Sequence, residues 1–211
     1  MLFKKHLALT FIRLKTAGKA GFVPLIGLFI VLPAILVMNY LSTNRVDALA
    51  SIMEVTQDIL VPLLSIWWVL MVLREYIESD GNEILYVYAG KTQAGTVVTL
   101  LLLYLVCAAV LMFGCALIHP FMVLEFFEVA LNCILYVGVS YFLAFLTRTV
   151  AITFIPPLLY TGLIFTNIEL IGFGPEITWT WILTNCVPRG LLGVVFFLLG
   201  WVLNRKHLRY N

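Results

Sequence analysis

Charge is what this sequence has least of. Only 11% of its 211 residues are Asp, Glu, Lys or Arg, against roughly 25% in soluble domains. So few charges cannot cover the apolar surface of a chain that is 63% hydrophobic, which excludes a soluble globular domain. Histidine is nearly as scarce: His6, His119 and His207 lie far apart. There is no H-E-x-x-H metalloprotease motif, and only His119 falls near a span, at the turn before Pro120. Neither a membrane metalloprotease nor a Ser/His hydrolase has its parts here, so the chain is not expected to be an enzyme. The four cysteines, Cys107, Cys115, Cys133 and Cys186, have no zinc-ligand spacing and form no disulfide framework. They read as buried reduced thiols. Internal repeats and low-complexity tracts are also missing, and a net charge of +2 gives no reason to expect a nucleic-acid partner.

What is present is apolar, with a mean hydropathy of +1.06. A helix needs about 20 apolar residues to cross roughly 30 Å of hydrocarbon. Six segments are expected to do so: 22–41, 55–73, 95–118, 126–146, 150–168 and 187–203. The predicted fold class is therefore all-α, one polytopic membrane domain over 1–211. Asp58 and Glu128 stand near the ends of their spans. Pro156-Pro157 is expected to bend or break the fifth span, and Gly138 and Gly162 to permit close helix contact. The 20-residue first span exceeds the 7–15 apolar residues of a signal peptide, so it is expected to remain as a span.

Orientation follows from the basic residues. With both termini in the cytoplasm, eleven of the 13 Lys and Arg lie inside and only Arg45 and Arg189 outside, as the positive-inside rule requires. Ahead of the first span, Phe3, Leu7, Phe11 and Leu14 share one helical face flanked by Lys4, Lys5, Arg13 and Lys15. Residues 1–21 are thus expected to form a basic amphipathic helix in the inner interface.

The loop over 74–94 is the one sizeable cytoplasmic connection. It carries Glu75, Glu78, Asp80 and Glu83, and Asp80 with Glu83 three residues on makes a capping-box-like helix start. Leu85 and Tyr88 give that short helix an apolar side, and Gly90 fits its stop. Ala89-Gly90-Lys91-Thr92 ends like a phosphate-binding loop, but position 85 is Leu where that motif needs Gly. No ATP site is expected on this chain.

In this order of elements, and in the loop residues Arg74-Glu75, Glu78, Gly81, Glu83 and Leu85, the chain resembles the transmembrane subunits of type-2 ABC transporters, the six-helix exporter permeases. Gly90 stands in the region of the proline usual in that loop. The resemblance implies a coupling helix, with Glu75, Glu78, Asp80, Gly81, Glu83, Leu85 and Tyr88 docking on a separate ABC ATPase subunit that holds ATP and Mg. It implies a second permease subunit, identical or not, a cell-membrane location such as a bacterial inner membrane, and short re-entrant helices in the outer loop Glu169–Pro188. No cofactor is expected on this chain itself. Asn39 and Asn132 are the candidate pathway residues, and an apolar path suits a lipid, an amphipathic peptide or a hydrophobic drug. The alternatives are a membrane-embedded binding subunit of an importer, or an ion-coupled secondary transporter, which needs ionisable groups at membrane depth.

Overall fold

The computed structural model describes residues 18–43, 46–78, 93–116, 122–171 and 178–210. Every regular element among them is helical. Helix α1 runs over 18–43, opening with a 3-10 turn at Gly18–Phe22 and passing through a π-helical turn at Gly27–Val31. It is followed by α2 (Val46–Ile77), α3 (Gln93–Ala116) and α4 (Met122–Thr147). A 3-10 turn at Ala151–Phe154 leads into α5 (Ile155–Ile171), and α6 spans 179–210 with a π-helical turn at Ile182–Cys186.

Five segments are long and apolar enough to cross a membrane: Gly18–Ile35, Ile59–Ile77, Gln93–Gly114, Val123–Thr147 and Trp179–Arg205. The fifth helix in chain order supplies a shorter apolar stretch, Ala151–Leu163. The expected layout of apolar helices therefore stands as five to six elements. Two helices begin ahead of the expected spans, and the expected kink is not found. Helix α2 starts at Val46, nine residues ahead of the expected 55. Helix α6 starts at Trp179, not 187, because Thr178 caps it by accepting the Trp181 amide through its hydroxyl at 3.2 Å. Thr184 and Asn185 then bond back to the Thr180 and Trp181 carbonyls, so polar residues that read as loop are satisfied within a helix. Pro156-Pro157 kinks no mid-span helix. The pair lies in the first turn of α5, where proline's missing N–H costs no hydrogen bond. Of the expected interfacial helix, residues 1–17 lie outside the described residues.

Helix α4 is the axis of the bundle. Of an 18-residue apolar stretch within Val123–Thr147, 61% is buried, against 22% for the corresponding stretch of α6 and 28% for those of α1 and α3. It packs on α2, α3 and α6. Between lipid-exposed helices there is little hydrophobic driving force, so close backbone approach and interhelical hydrogen bonds must hold them. Both are visible. A methyl group on Gly138 of α4 would run into the Gly193 carbonyl of α6, and one on Gly193 into the backbone of Ile134 and Leu135. Gly190 and Gly200 continue the same ridge against Leu131 and Phe142. Gly162, by contrast, has open space around it, so its expected packing role is not seen.

Side-chain hydrogen bonds tie the helices to one another. The α-helical partner of the Ala20 carbonyl would be residue 24, which is proline and has no N–H; Trp67 donates its indole N–H there at 2.9 Å. Trp68 does the same to the Gly21 carbonyl at 2.6 Å. Tyr104 of α3 donates to the Val61 carbonyl of α2 at 2.6 Å. Buried Asn204 of α6 donates to buried Gln93 at the start of α3, at 2.9 Å. These contacts bring Lys19, Arg74, Arg148 and Arg205 to one end of the bundle. Arg189 is the one basic side chain described at the other.

Candidate functional site

Two polar constellations stand out from the apolar frame, one at the basic end and one inside the bundle. At the basic end, α2 closes with the Glu78 amide bonded to the Arg74 carbonyl at 2.9 Å. The Glu78 carboxylate then splits its oxygens. Oε2 lies 3.5 Å from Arg74 Nε, and Oε1 accepts the Val150 amide at 2.9 Å. Val150 is the cap of the turn that leads into α5, so Glu78 satisfies an orphan N–H at a helix start with a charge that the helix dipole favours. The link joins residues 72 positions apart. Between α4 and that turn, Arg148 adopts φ 56° and its amide bonds to the Ala144 carbonyl at 3.0 Å. This is an αL helix stop, a place usually held by glycine.

Of the predicted docking residues, Glu75 is half-buried on α2 and Glu78 is turned into the chain's own fold. Asp80, Gly81, Glu83, Leu85 and Tyr88 lie outside the described residues. Asn39 lies on α1, and its side chain is outside the described ones.

The second constellation lies on α4. Glu125, Glu128, Asn132 and Tyr136 follow at intervals of three, four and four, so they share one helical face. Glu125 is half-buried. Glu128 keeps 6% of its surface exposed, Asn132 2% and Tyr136 2%. At about 1.5 Å per residue, Asn132 stands roughly 15 Å along the helix from Met122. Tyr136 ends the stripe on α5, with its hydroxyl 2.9 Å from the Thr161 hydroxyl. Thr161 spends its one proton on the Pro157 carbonyl at 2.7 Å, so Tyr136 is the donor of the pair. Aromatic rings flank the stripe. Phe126 lies 5.4 Å from Phe113 of α3, and Phe127 lies 5.6 Å from Trp179 of α6.

Glu128 and Asn132 are less well provided for. The Asn132 Oδ1 is buried without a hydrogen-bond partner. Among the described residues the Glu128 carboxylate forms no hydrogen bond and no ion pair. Arg189, half-buried on α6, does not reach it. The sequence marks Asn132 as a candidate pathway residue and Glu128 as an acid near the end of its span, and neither reading places them on a common face. The spacing of Glu125, Glu128, Asn132 and Tyr136 is the signal that could have placed all four on one buried face. No group of three or more His, Cys, Asp or Glu suited to a metal ion occurs among the described residues.

Comparison with protein-family models, with curated proteins and with solved structures gave no match.

Proposed function

We propose that this chain is the membrane-embedded subunit of an ATP-driven exporter, working with a separate ATPase, as the resemblance of its layout and acidic loop to type-2 ABC permeases implies. The observation that best supports this reading is the Glu78–Val150 bond. An acidic loop can drive transport only if force applied to it reaches the helices that line the path. Through Glu78 the end of α2, where that loop begins, is fastened to the start of α5. A push from a soluble partner would thus move α2 and α5 together, a rigid-lever displacement of the kind that switches bundles between two arrangements.

In this reading the end bearing Lys19, Arg74, Arg148 and Arg205 faces the cytoplasm. Asp80 and Glu83 carry the polar contacts to the partner, and Leu85 and Tyr88 pack against it. Glu78 serves the internal link instead. The catalytic ATP and Mg belong to the partner, and a second permease subunit completes the path.

The test is purification of the tagged chain from its native membranes in a gentle detergent, with mass identification of what accompanies it. A P-loop ATPase should co-purify and be lost on combined Asp80→Lys and Glu83→Lys. Recovery of the chain alone, under conditions that hold other membrane complexes together, would reject the reading.

One observation favours a second reading. Glu128 is the kind of buried intramembrane carboxylate that ion-coupled secondary transporters require. In that case transport would follow an ion gradient and continue without any ATPase.

A further inference from the structure

An ionised side chain at membrane depth is costly by ~2.5–3.5 kcal/mol on insertion scales and is normally paired. A buried amide oxygen without a donor is costly as well. Glu128 presents a buried carboxyl group and Asn132 a buried amide oxygen without a donor, one helical turn apart, on one face, inside the most buried helix of the bundle. Nothing described within the chain relieves either group. A ligand that did so would bring positive charge to the Glu128 carboxylate and an N–H to the Asn132 Oδ1. We propose that Glu128 and Asn132 form a binding site for the N–H-bearing cationic head of an amphiphile, a primary ammonium or a guanidinium.

The chemistry excludes the competing cations. Calcium takes six to eight oxygen ligands, more than the carboxylates of Glu125 and Glu128 and the Asn132 amide oxygen offer together, and no group of three or more His, Cys, Asp or Glu suited to a metal ion occurs among the described residues. A quaternary ammonium carries charge but no N–H, so it would leave Asn132 unsatisfied. An ammonium with hydrogens fits both groups at once, and a carboxylate acceptor makes that hydrogen bond a strong one. The surroundings argue for an apolar tail on the same molecule. The rings of Phe113, Phe126, Phe127 and Trp179 lie at this end of α4, and the outward faces of α3, α5 and α6 are apolar and exposed. The Tyr136–Thr161 pair closes the stripe toward mid-bundle with its own hydrogen bonds complete. The inference names a substrate class for the exporter proposed above and rests on that transport role for its purpose, though not for its chemistry.

The test is isothermal titration of n-octylammonium, n-octyltrimethylammonium and n-octanol into the full chain in nanodiscs of uncharged lipid, with empty nanodiscs subtracted. Octylammonium should bind saturably and octanol should not, with the trimethyl compound the weaker of the two cations. Glu128→Gln, which keeps the side chain's shape, should weaken octylammonium by about tenfold or more. Asn132→Leu should weaken octylammonium while leaving octyltrimethylammonium unchanged, a difference that general misfolding would not produce. Equal binding of octylammonium and octanol, undiminished binding in Glu128→Gln, or saturable binding of sodium without binding of octylammonium would each overturn the site. The chain is titrated without any ATPase, so loss of this site and failure of the ATPase to co-purify are separate results.

Discussion

Two single residues at the basic end hold unusual positions, and each makes a prediction. Glu78 joins α2 to the turn before α5 through the Val150 amide. Its role is that of a helix cap supplied from another helix. Removing a capping side chain costs about 1 kcal/mol, and the exposed Arg74 partner adds little. Glu78→Ala should therefore lower stability by about 1–2 kcal/mol, read from thermal unfolding in detergent. Glu78→Gln retains the acceptor oxygen and should recover most of that loss. Arg148 lies at φ 56°, where a β-branched side chain is most strongly disfavoured. Arg148→Gly should therefore be more stable than Arg148→Val by about 1–2 kcal/mol, as the midpoints of the two unfolding curves would report. Neither residue's position was legible in the sequence. Glu78 is one of several acids in a loop, and nothing local indicates that its partner lies 72 residues away.

Among the elements, the α4–α6 pair carries the most revealing contact. Gly138 and Gly193 meet backbone to backbone, with Gly190 and Gly200 on the same ridge. A side chain at 193 must displace the backbone of Ile134 and Leu135, so relief by a rotamer change is not open to it. Gly193→Leu should cost several kcal/mol, on the order of overpacking in a dense core or more, and should appear as aggregation on size exclusion. Gly162→Ala, with open space around it, should be tolerated in the same assay. The Gln93–Asn204 bond ties α3 to α6. Either single leucine substitution leaves a buried amide unpaired, at about 1–3 kcal/mol. The double substitution should cost less than the sum of the two singles, and a double-mutant cycle would measure the difference.

Elements were more legible than their partners. Long apolar runs locate α1, α3 and α4 within a few residues, because a helix in lipid must satisfy its own backbone and therefore persists as long as the apolar run does. The ends were harder to read. Thr178, Thr184 and Asn185 read as loop until their hydroxyl and amide groups are seen bonded within the helix. Pro156-Pro157 reads as a kink until it is seen at a helix start. The polar stripe was half legible. Asn132 stands out as a rare polar residue in a span, and Glu128 as an acid near the start of its span, but a run of hydropathy carries no information on which face a charge occupies.

At the scale of the whole molecule, the described residues form a bundle of apolar helices, as a multi-pass membrane protein would, with α4 as its axis. All its described basic side chains but Arg189 gather at one end, and the Glu128 carboxylate and Asn132 Oδ1, without a partner among the described residues, lie inside. The proposal made from them is an exporter subunit that is pushed from its basic end and binds a cationic head within. The claim that joins them is that a soluble ATPase docks where α2 ends. The most direct measurement replaces Glu83 with a photo-crosslinking amino acid and irradiates intact native membranes. The account predicts a covalent adduct with a P-loop ATPase from position 83 and none from the same replacement at Trp179, at the opposite end. An adduct with that ATPase from Trp179, or adducts from position 83 that contain only lipid, would contradict it.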